Sequence, residues 1–295
     1  MRIVSLLPSA TEMVCALGLR QSLVGVTHEC DFPADVRKLP AVTRSLLPAD
    51  ASSSEIDTLV REQVQTSNAL YSLDTETIQD VQPDLIITQA LCDVCAVAES
   101  EVNAAIRTLP KPPQVLNLEP RNLADVLDCL RVIGIATGTE LQANRVLSQL
   151  ENRIAAVVQR SEKIQHKPRT MVLEWIDPPF SAGHWNPELV ELAGGVEVVG
   201  VAGQRSVTVE WKKVVEADPE VLVIACCGFD IERSKEDLPI LQRSAGWQNL
   251  RCVKDQRVHI VDGSSYFNRP GPRLVDSLEI LASLIHPDPT GSSKP

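Results

Sequence analysis

The sequence predicts an α/β protein with two Rossmann-like lobes, each with a parallel sheet, joined by one long bridging α-helix. Short apolar segments alternate with helix-like segments in both halves of the chain, which is typical of parallel sheets covered by helices. The stretch 139–165 contains no Gly or Pro and interrupts this alternation. A Pro-centred tripeptide precedes an apolar strand once in each half, at 82–84 and 218–220. This weak internal similarity indicates two lobes of related build.

The N-terminal lobe is predicted to span residues 1–138. Residues 2–7 form its first strand, and Ser9 with Glu12 has the spacing of a capping box that begins a helix. Gly18 is expected to end that helix. The other strands of the lobe are predicted at 23–26, 85–88 and 115–118, and its other helices at 54–67, 75–81, 97–108 and 122–137.

Residues 139–167 are predicted to form the bridging segment. Thr139 and Gln142 have capping-box spacing, and apolar residues then recur at roughly helical intervals until Pro168 closes the segment. At 1.5 Å per residue, a helix over 139–165 would be ~40 Å long. That length suits a connection between two lobes better than a surface helix within one.

The C-terminal lobe is predicted at 168–286, followed by a polar tail, 287–295, that we expect to fray. Strand 170–175 opens the lobe and runs into a Pro/Gly-rich loop that ends at His184 and Trp185. The remaining predicted elements are an extended or strand segment at 196–201, strands at 221–225 and 258–261, and helices at 187–193, 208–215 and 273–285.

Composition excludes some classes of function. The 295 residues have a net charge of −11 and a pI near 5.0, which argues against binding nucleic acid or an anionic membrane surface. No stretch approaches the ~18–20 apolar residues of a membrane span. Pro8 stops the first apolar run and we find no secretory leader. We therefore predict a cytoplasmic protein, whose eight cysteines are thiols, ligands or core residues rather than disulfides.

Polar, sulfur-containing and aromatic side chains follow the predicted strands at several places. In the N-terminal lobe these are His28-Glu29-Cys30-Asp31 and Cys92-Asp93-Val94-Cys95. In the C-terminal lobe they are Trp175, His184 and Trp185, then Cys226 and Cys227, then Tyr266, Phe267 and Arg269. Because ligands of open parallel sheets lie beyond the carboxyl ends of the strands, these loops are candidates to line one cleft.

Two chemistries are open for these loops. Cys92-x-x-Cys95 has the spacing of a zinc half-site that His28 or Cys30 could complete, although no second Cys-x-x-Cys pair is present. Alternatively, aromatic rings in loops suit a broad, flat ligand by stacking and burial of area. A third interpretation is that some of the rings, Phe267 in particular, only fill the bases of their loops.

The chain is predicted not to be an enzyme. It contains no Gly-x-Ser-x-Gly, no Gly-x4-Gly-Lys-Ser/Thr and no His-Glu-x-x-His motif. No Gly-rich loop follows the first strand, which argues against a dinucleotide site. An enzyme acting on a tetrapyrrole or metal cofactor is the least favoured alternative.

Over residues 2–286 the chain resembles the class III substrate-binding proteins of ABC importers, and its cobalamin-binding members most of all. The segments that resemble the family are Ile3–Glu12, Val24–Thr27 with Asp31-Phe32-Pro33, Pro83–Ile87, Asp177–Gly183 and Tyr266–Arg273. In that family two α/β lobes joined by one long helix bind siderophores, haem, metal ions or cobalamin between them. The loops at 28–31 and 92–95 resemble a cytoplasmic offshoot of the family.

The resemblance implies a non-enzymatic protein that holds a corrinoid such as cobalamin in the cleft between its lobes. It also implies a small-molecule ligand and an ABC permease as partners, although the absence of a leader argues against delivery to a permease. The expected ligand contacts are Trp175, Trp185 and Tyr266 as stacking walls, His184 and His28 as polar or axial contacts, and Arg269 for amides or a phosphate. The alternative is a transition-metal ion such as zinc, or a metal chelate, bound by Cys30, Cys92, Cys95 and the histidines.

Overall fold

The computed structural model describes residues 1–48, 51–66, 70–89, 102, 105–107 and 109–287, without the side chains of 63–66. The chain divides into two compact units. Unit 1 contains residues 1–120 and 124–148, and unit 2 contains 121–123 and the chain from Gln149 onward. Each unit has its own sheet and its own apolar core.

Unit 1 is built on a parallel sheet. Its strands are β1 (Ile3–Ser5), β2 (Leu23–Val26), β3 (Thr43–Ser45), β4 (Tyr71–Leu73), β5 (Leu85–Thr88) and β6 (Gln114–Asn117). Strands β2, β1, β5 and β6 lie in that order and all pair in parallel, whereas β3 and β4 form a separate antiparallel ribbon. The parallel sheet predicted from the βα alternation is thus confirmed, and the ribbon is additional.

The helices of unit 1 follow the predicted pattern with one difference at the start. They are α1 (Pro8–Ala16), α2 (Ser53–Thr66), α3 (Thr75–Val81) and α4 (Leu123–Thr137). The predicted capping box of α1 is wrong, because the helix begins at Pro8 and places Ser9 and Glu12 in a buried first turn. Proline suits that first position since its ring fixes a helical φ and it lacks an N–H. Gly18, at φ +77°, follows the end of α1 as predicted. Of the predicted helix 97–108, the described residues 102 and 105–107 are helical.

One helix runs from unit 1 into unit 2. Helix α5 (Glu140–Ser161) has 22 residues and is therefore ~33 Å long. It is shorter at both ends than the predicted 139–165, and the Thr139 hydroxyl pairs with that of Thr137 at 2.8 Å instead of forming the predicted capping box. Its C-terminal half is tied to the last helix of unit 2 by Arg153, which donates to Glu279 at 2.7 and 2.9 Å.

The sheet of unit 2 is parallel at its centre and antiparallel at one edge. Its strands are β7 (Arg169–Trp175), β8 (Phe180–Ser181), β9 (Val196–Glu197), β10 (Val207–Thr208), β11 (Val221–Ile224) and β12 (Val258–Ile260). Strands β7, β11 and β12 are parallel neighbours, and β9 adds in parallel beside the start of β7. Beside the end of β7 the chain reverses into β8, which pairs antiparallel with both β7 and β10. The stretch predicted only as a loop after β7 therefore contains a short strand, β8, which lies between β7 and the edge strand β10.

The helices of unit 2 are α6 (Asn186–Leu192), α7 (Trp211–Ala217), α8 (Ile231–Gln242), α9 (Arg251–Lys254) and α10 (Leu274–Ile285). The predicted helix from 208 is wrong at its start, since Thr208 lies in β10 and α7 begins at Trp211. A π-helical turn, Gly263–Phe267, lies in the loop that precedes α10. None of the helices in the described ranges is long and apolar enough to cross a membrane.

Candidate functional site

The loops that follow β7, β11 and β12 are hydrogen-bonded to one another. Asn268 donates its side-chain amide to the carbonyl of Ala225 at 2.9 Å, and the Ser264 amide donates to the carbonyl of Phe229 at 3.0 Å. Gly263 fits between them because a Cβ there would lie 2.2 Å from the Cys226 carbonyl oxygen. Since these parallel strands end at one edge of the sheet, their loops form a single surface at the edge where α/β proteins bind ligands.

Trp175 ends β7 as a half-buried ring and packs against a second aromatic residue. Its ring centroid lies 4.8 Å from that of Phe229 at an interplanar angle of 42°, and its indole N–H donates to the Asp177 carbonyl at 3.0 Å. The Arg233 guanidinium lies 4.3 Å from the centroid of the Phe229 ring. Phe229 was not among the predicted site residues, although its place just after Cys226-Cys227-Gly228 at the end of β11 could have indicated it.

Trp185 lies in the interior rather than on an open wall. It is 6% exposed, and its indole N–H donates to the Phe267 carbonyl at 2.8 Å. Phe267 is itself fully buried, as the loop-filling interpretation predicts. The expected stacking role of Trp185 is therefore corrected to a packing role: a Trp ring whose one donor is satisfied inside the protein has little face left for a ligand.

His184 is held by its backbone. Its φ is +51°, its amide donates to the Gln204 carbonyl at 2.6 Å, and its carbonyl accepts from Gly203 at 2.8 Å. The half-buried imidazole lies 5.4 Å from the Trp185 ring, measured between centroids. Burial, with a smaller contribution from Arg205, lowers the pKa of His184. The imidazole is thereby favoured in its neutral form, which can bind a metal or accept a hydrogen bond.

Tyr266 and Arg269 belong to the loop before α10. Tyr266 lies in the π-helical turn, half-buried, with the Arg273 guanidinium 5.3 Å from its ring centroid. Arg269 is also half-buried and its guanidinium is 3.4 Å from the Ser264 hydroxyl. The turn is fixed by Asp262, whose carboxylate accepts from the Ser265 amide at 2.7 Å. This loop thus combines an aromatic face with positive charge.

In unit 1, His28 follows β2 and contacts the β3–β4 ribbon. It is exposed, and its Nδ1 lies 2.8 Å from the hydroxyl of the buried Thr43. Its ring centroid is 5.4 Å from that of Tyr71, whose hydroxyl donates to Glu29 at 3.0 Å. With Nδ1 engaged, Nε2 is the ring nitrogen of His28 that remains for a ligand contact.

The predicted metal ligands are only partly described. Cys30 is 4% exposed, and its sulfur lies 3.1 Å from the Thr11 hydroxyl and 3.6 Å from that of Thr27. Cys92 and Cys95 lie outside the described residues. Within the described part of the chain, no group of three or more His, Cys, Asp or Glu side chains could hold a metal ion.

Two carboxylates beside His184 escaped the sequence analysis. Glu174 is buried at the end of β7, and Glu197 ends β9. Both look in the sequence like ordinary strand residues, because what distinguishes them is the set of N–H groups that the fold directs at them. The predicted site residues are distributed over both units. His28 and Cys30 lie in unit 1, and Trp175, His184, Trp185, Tyr266 and Arg269 lie in unit 2.

Known proteins resemble this chain over almost its whole length. An uncharacterized ABC transporter substrate-binding lipoprotein from Bacillus subtilis is 23% identical, over 97% of this chain and 80% of the relative. A vitamin B12-binding protein from Vibrio cholerae is 22% identical, over 96% of this chain and 88% of its own length. A solved periplasmic heme-binding protein from Pseudomonas aeruginosa has the same fold, with a TM-score of 0.73 at 20% identity, over 100% of this chain and 94% of the other.

These relatives overturn one prediction. The protein was predicted to be cytoplasmic from its first residues, where Pro8 ends the apolar run. One relative is a lipoprotein and another is a periplasmic protein, and both work outside the cytoplasm. The cytoplasmic assignment is therefore wrong, and with it the argument against an ABC permease as partner.

The resemblance noted from short segments is confirmed along the chain. The relatives are substrate-binding proteins of the two-lobed type, and two units with parallel sheets and one connecting helix are what the structure shows. The profile of one family, described as periplasmic binding protein, matches residues 3–264, so the chain belongs to that family.

Proposed function

We propose that this protein is a non-enzymatic substrate-binding component of ABC import and that it binds a corrinoid through its strand-end loops. The Trp175–Phe229 pair carries the proposal. Its two half-buried rings lie on the edge of the sheet where ligands of this fold class bind. Partly exposed rings suit a flat macrocycle by stacking and by removing apolar area from water.

The relatives support a ligand of this shape. One is named a vitamin B12-binding protein and another a periplasmic heme-binding protein. Both ligands are broad macrocycles with a metal at the centre. By family, the partner that receives the ligand is the permease of an ABC importer.

The residues have distinct proposed roles. Trp175 and Tyr266 provide faces for the macrocycle, and Arg269 binds its amide or phosphate groups. His184 supplies an imidazole nitrogen to the metal or to a polar substituent, and His28 of unit 1 is a second candidate for that role. Trp185 supports His184 from within unit 2, consistent with its bond to the Phe267 carbonyl.

The proposal is tested by titrating the purified protein with hydroxocobalamin and cyanocobalamin, with haemin as the competing macrocycle. We expect hydroxocobalamin to bind with a shift of its visible spectrum, because its axial water can be exchanged for imidazole. His184→Ala should abolish the shift. His166→Ala is the matched control. His166 is exposed, pairs with Glu220, and lies before β7 rather than in the loop after it. No binding of either cobalamin at high micromolar concentration would contradict the corrinoid proposal.

Removing one ring separates stacking from general stability. Trp175→Ala should weaken corrinoid binding by about 2 kcal/mol, which is roughly 30-fold. Trp211→Ala is the control, because Trp211 also pairs with an aromatic ring, that of Trp247 at 6.0 Å, but lies before β11 rather than after it. Equal losses of affinity in both variants would show that Trp175 acts only through folding.

The same preparation tests the metal-ion alternative. Elemental analysis of protein purified without added metal measures any bound ion. A near-stoichiometric metal that is lost in a Cys92→Ser/Cys95→Ser variant would replace the corrinoid proposal with a metal-ion binder.

A further inference from the structure

Two carboxylates flank the segment that presents His184. Glu174 is buried at the end of β7, and Glu197 is half-buried at the end of β9. A carboxylate that leaves water costs free energy unless its oxygens accept hydrogen bonds.

Glu174 accepts hydrogen bonds from both sides of His184. Its Oε1 accepts from the side-chain amide of Asn186 at 2.7 Å and from the Gly183 amide at 3.4 Å. Its Oε2 is in close contact with the hydroxyl of Ser206. One carboxylate thus joins the residue before His184, the start of α6 and the loop 198–206 between β9 and β10.

Glu197 binds the start of the same loop between β9 and β10. Its Oε1 accepts from the consecutive amides of Val198, Val199 and Gly200 at 3.1, 3.0 and 2.9 Å. Its Oε2 accepts from the Val172 amide of β7 at 3.3 Å. The turn so formed continues to Gly203 and Gln204, which pair with the His184 backbone on both sides.

The segment 182–184, which contains His184, is tightly packed against the loop 198–206. A Cβ at Gly183 would lie 2.4 Å from the Ser206 nitrogen, and one at Gly200 would lie 2.5 Å from the Ala182 carbonyl oxygen. His184 itself has a positive φ of 51°, a conformation that non-glycine residues keep only where their surroundings impose it.

We propose that Glu174 and Glu197 are positioning residues that fix the His184 backbone and thereby aim its imidazole at the ligand. The assignment of a ligand to His184 rests on the proposed function, but the fixing of its backbone does not. The geometry favours this role because the hydrogen bonds of the two carboxylates go to the strand, turn and loop that border the His184 segment.

Substitution of Glu174 tests the hydrogen bonds directly. In Glu174→Gln the amide can still accept from Asn186 and Gly183 and can donate to Ser206. Glu174→Val fills similar space and removes the acceptor that Glu174 offers to Asn186, Gly183 and Ser206. We expect hydroxocobalamin affinity to fall roughly tenfold or more in the valine variant and no more than about threefold in the glutamine variant.

A spectroscopic measurement keeps the test independent of the ligand. NMR of the ligand-free protein with labelled histidine gives five imidazole signals, of which His184 is identified by its loss in His184→Asn. Glu174→Val should shift or broaden the His184 signal and leave those of His28 and His259 in place. Glu210→Gln, which removes a charge from an exposed site on the same unit, should move none of them.

The outcomes separate the two proposals. If the wild type binds no corrinoid but the His184 signal alone responds to Glu174→Val, the proposed function fails and the positioning role stands. If the His184 signal is unmoved, or if all five signals move together, Glu174 is not a positioning residue. Should the valine variant not fold, Ser206→Ala removes one of the three partners and should give the same selective shift at smaller amplitude.

Discussion

His28 and His184 both follow a strand end and are both candidates to contact the ligand, yet the chain holds them by different means. His28 is exposed and its side chain makes one hydrogen bond, to the Thr43 hydroxyl at 2.8 Å, beside the ring of Tyr71. His184 is half-buried and is oriented by its backbone, which pairs with Gly203 and Gln204. A side chain that is held by one hydrogen bond can rotate. A backbone that is hydrogen-bonded on both sides fixes the position of the Cβ atom from which the imidazole extends.

The difference bears on what each histidine can contribute to binding. Ordering a group before the ligand arrives lowers the entropy lost on binding. His184 is preorganised in this sense, and burial also lowers its pKa so that the neutral imidazole is favoured. His28 keeps more freedom and is the better candidate to adjust to ligands of different shape.

The largest effect is expected from Gly183→Ala, which disturbs the backbone hydrogen bonds of His184 with Gly203 and Gln204 and leaves the His28 loop unchanged. The added Cβ would lie 2.4 Å from the Ser206 nitrogen and 2.5 Å from the Gln204 carbonyl oxygen, both of them backbone atoms. We expect the free energy of unfolding to fall by about 3 kcal/mol, measured by urea denaturation. The visible shift of bound hydroxocobalamin should be lost with it.

Gly203→Ala is the control for this substitution. Gly203 has a φ of +72°, but a Cβ there would meet no atom within 4 Å. Only the backbone strain of about 1 kcal/mol should appear. Equal losses of stability in the two variants would mean that the tight packing around Gly183 has no energetic role.

The next effect is a dependence of stability on pH that belongs to the His184 side of the comparison. Burial raises the pKa of Glu197 to about 7, above the ordinary 4.5, although the hydrogen bonds that it accepts from four backbone amides lower it. The folded protein therefore holds this proton more tightly than the unfolded chain does. The stabilisation is fully present below pH 4.5 and is lost as the pH rises to about 7.

The amplitude of that loss is roughly 2–3 kcal/mol, and it should be visible in urea denaturation at a series of pH values. Glu197→Gln, which cannot ionise, should flatten the curve between pH 5 and 7. Glu210→Gln should leave the curve as in the wild type. A wild-type curve that rises over the same interval would show that Glu197 is stabilised as a carboxylate.

Much of the fold follows from the sequence because strands and helices leave local signals. Thr75–Val81 and Leu85–Thr88 were predicted to the residue, since Asp74 caps the helix and a Pro-Asp pair separates it from the strand. The short antiparallel strands β8 and β10 were missed, because each has two residues and is defined by its partners rather than by its own pattern.

The site was less predictable than the fold. Trp175 and His184 were selected because unusual side chains follow a strand there, and their contacts with a ligand stay a prediction. Trp185 was misjudged, since the sequence does not show that the Phe267 carbonyl takes its indole N–H. Glu174 and Glu197 were missed because their roles depend on donors that are distant in the sequence, such as Ser206 and Val172.

The smallest effect is expected on the His28 side, from Thr43→Val. The change keeps the shape of the buried side chain and removes the hydroxyl that faces His28 Nδ1 at 2.8 Å and the His28 amide at 3.2 Å. Because His28 is exposed, water can replace the lost partner, and the free energy of unfolding should fall by only about 0.5–1 kcal/mol. The NMR signal of His28 should shift while that of His184 stays, and Thr43→Ser should restore it. A loss of stability as large as that of Gly183→Ala would contradict the contrast between the two loops, because it would show that one hydroxyl holds His28 as firmly as the backbone holds His184.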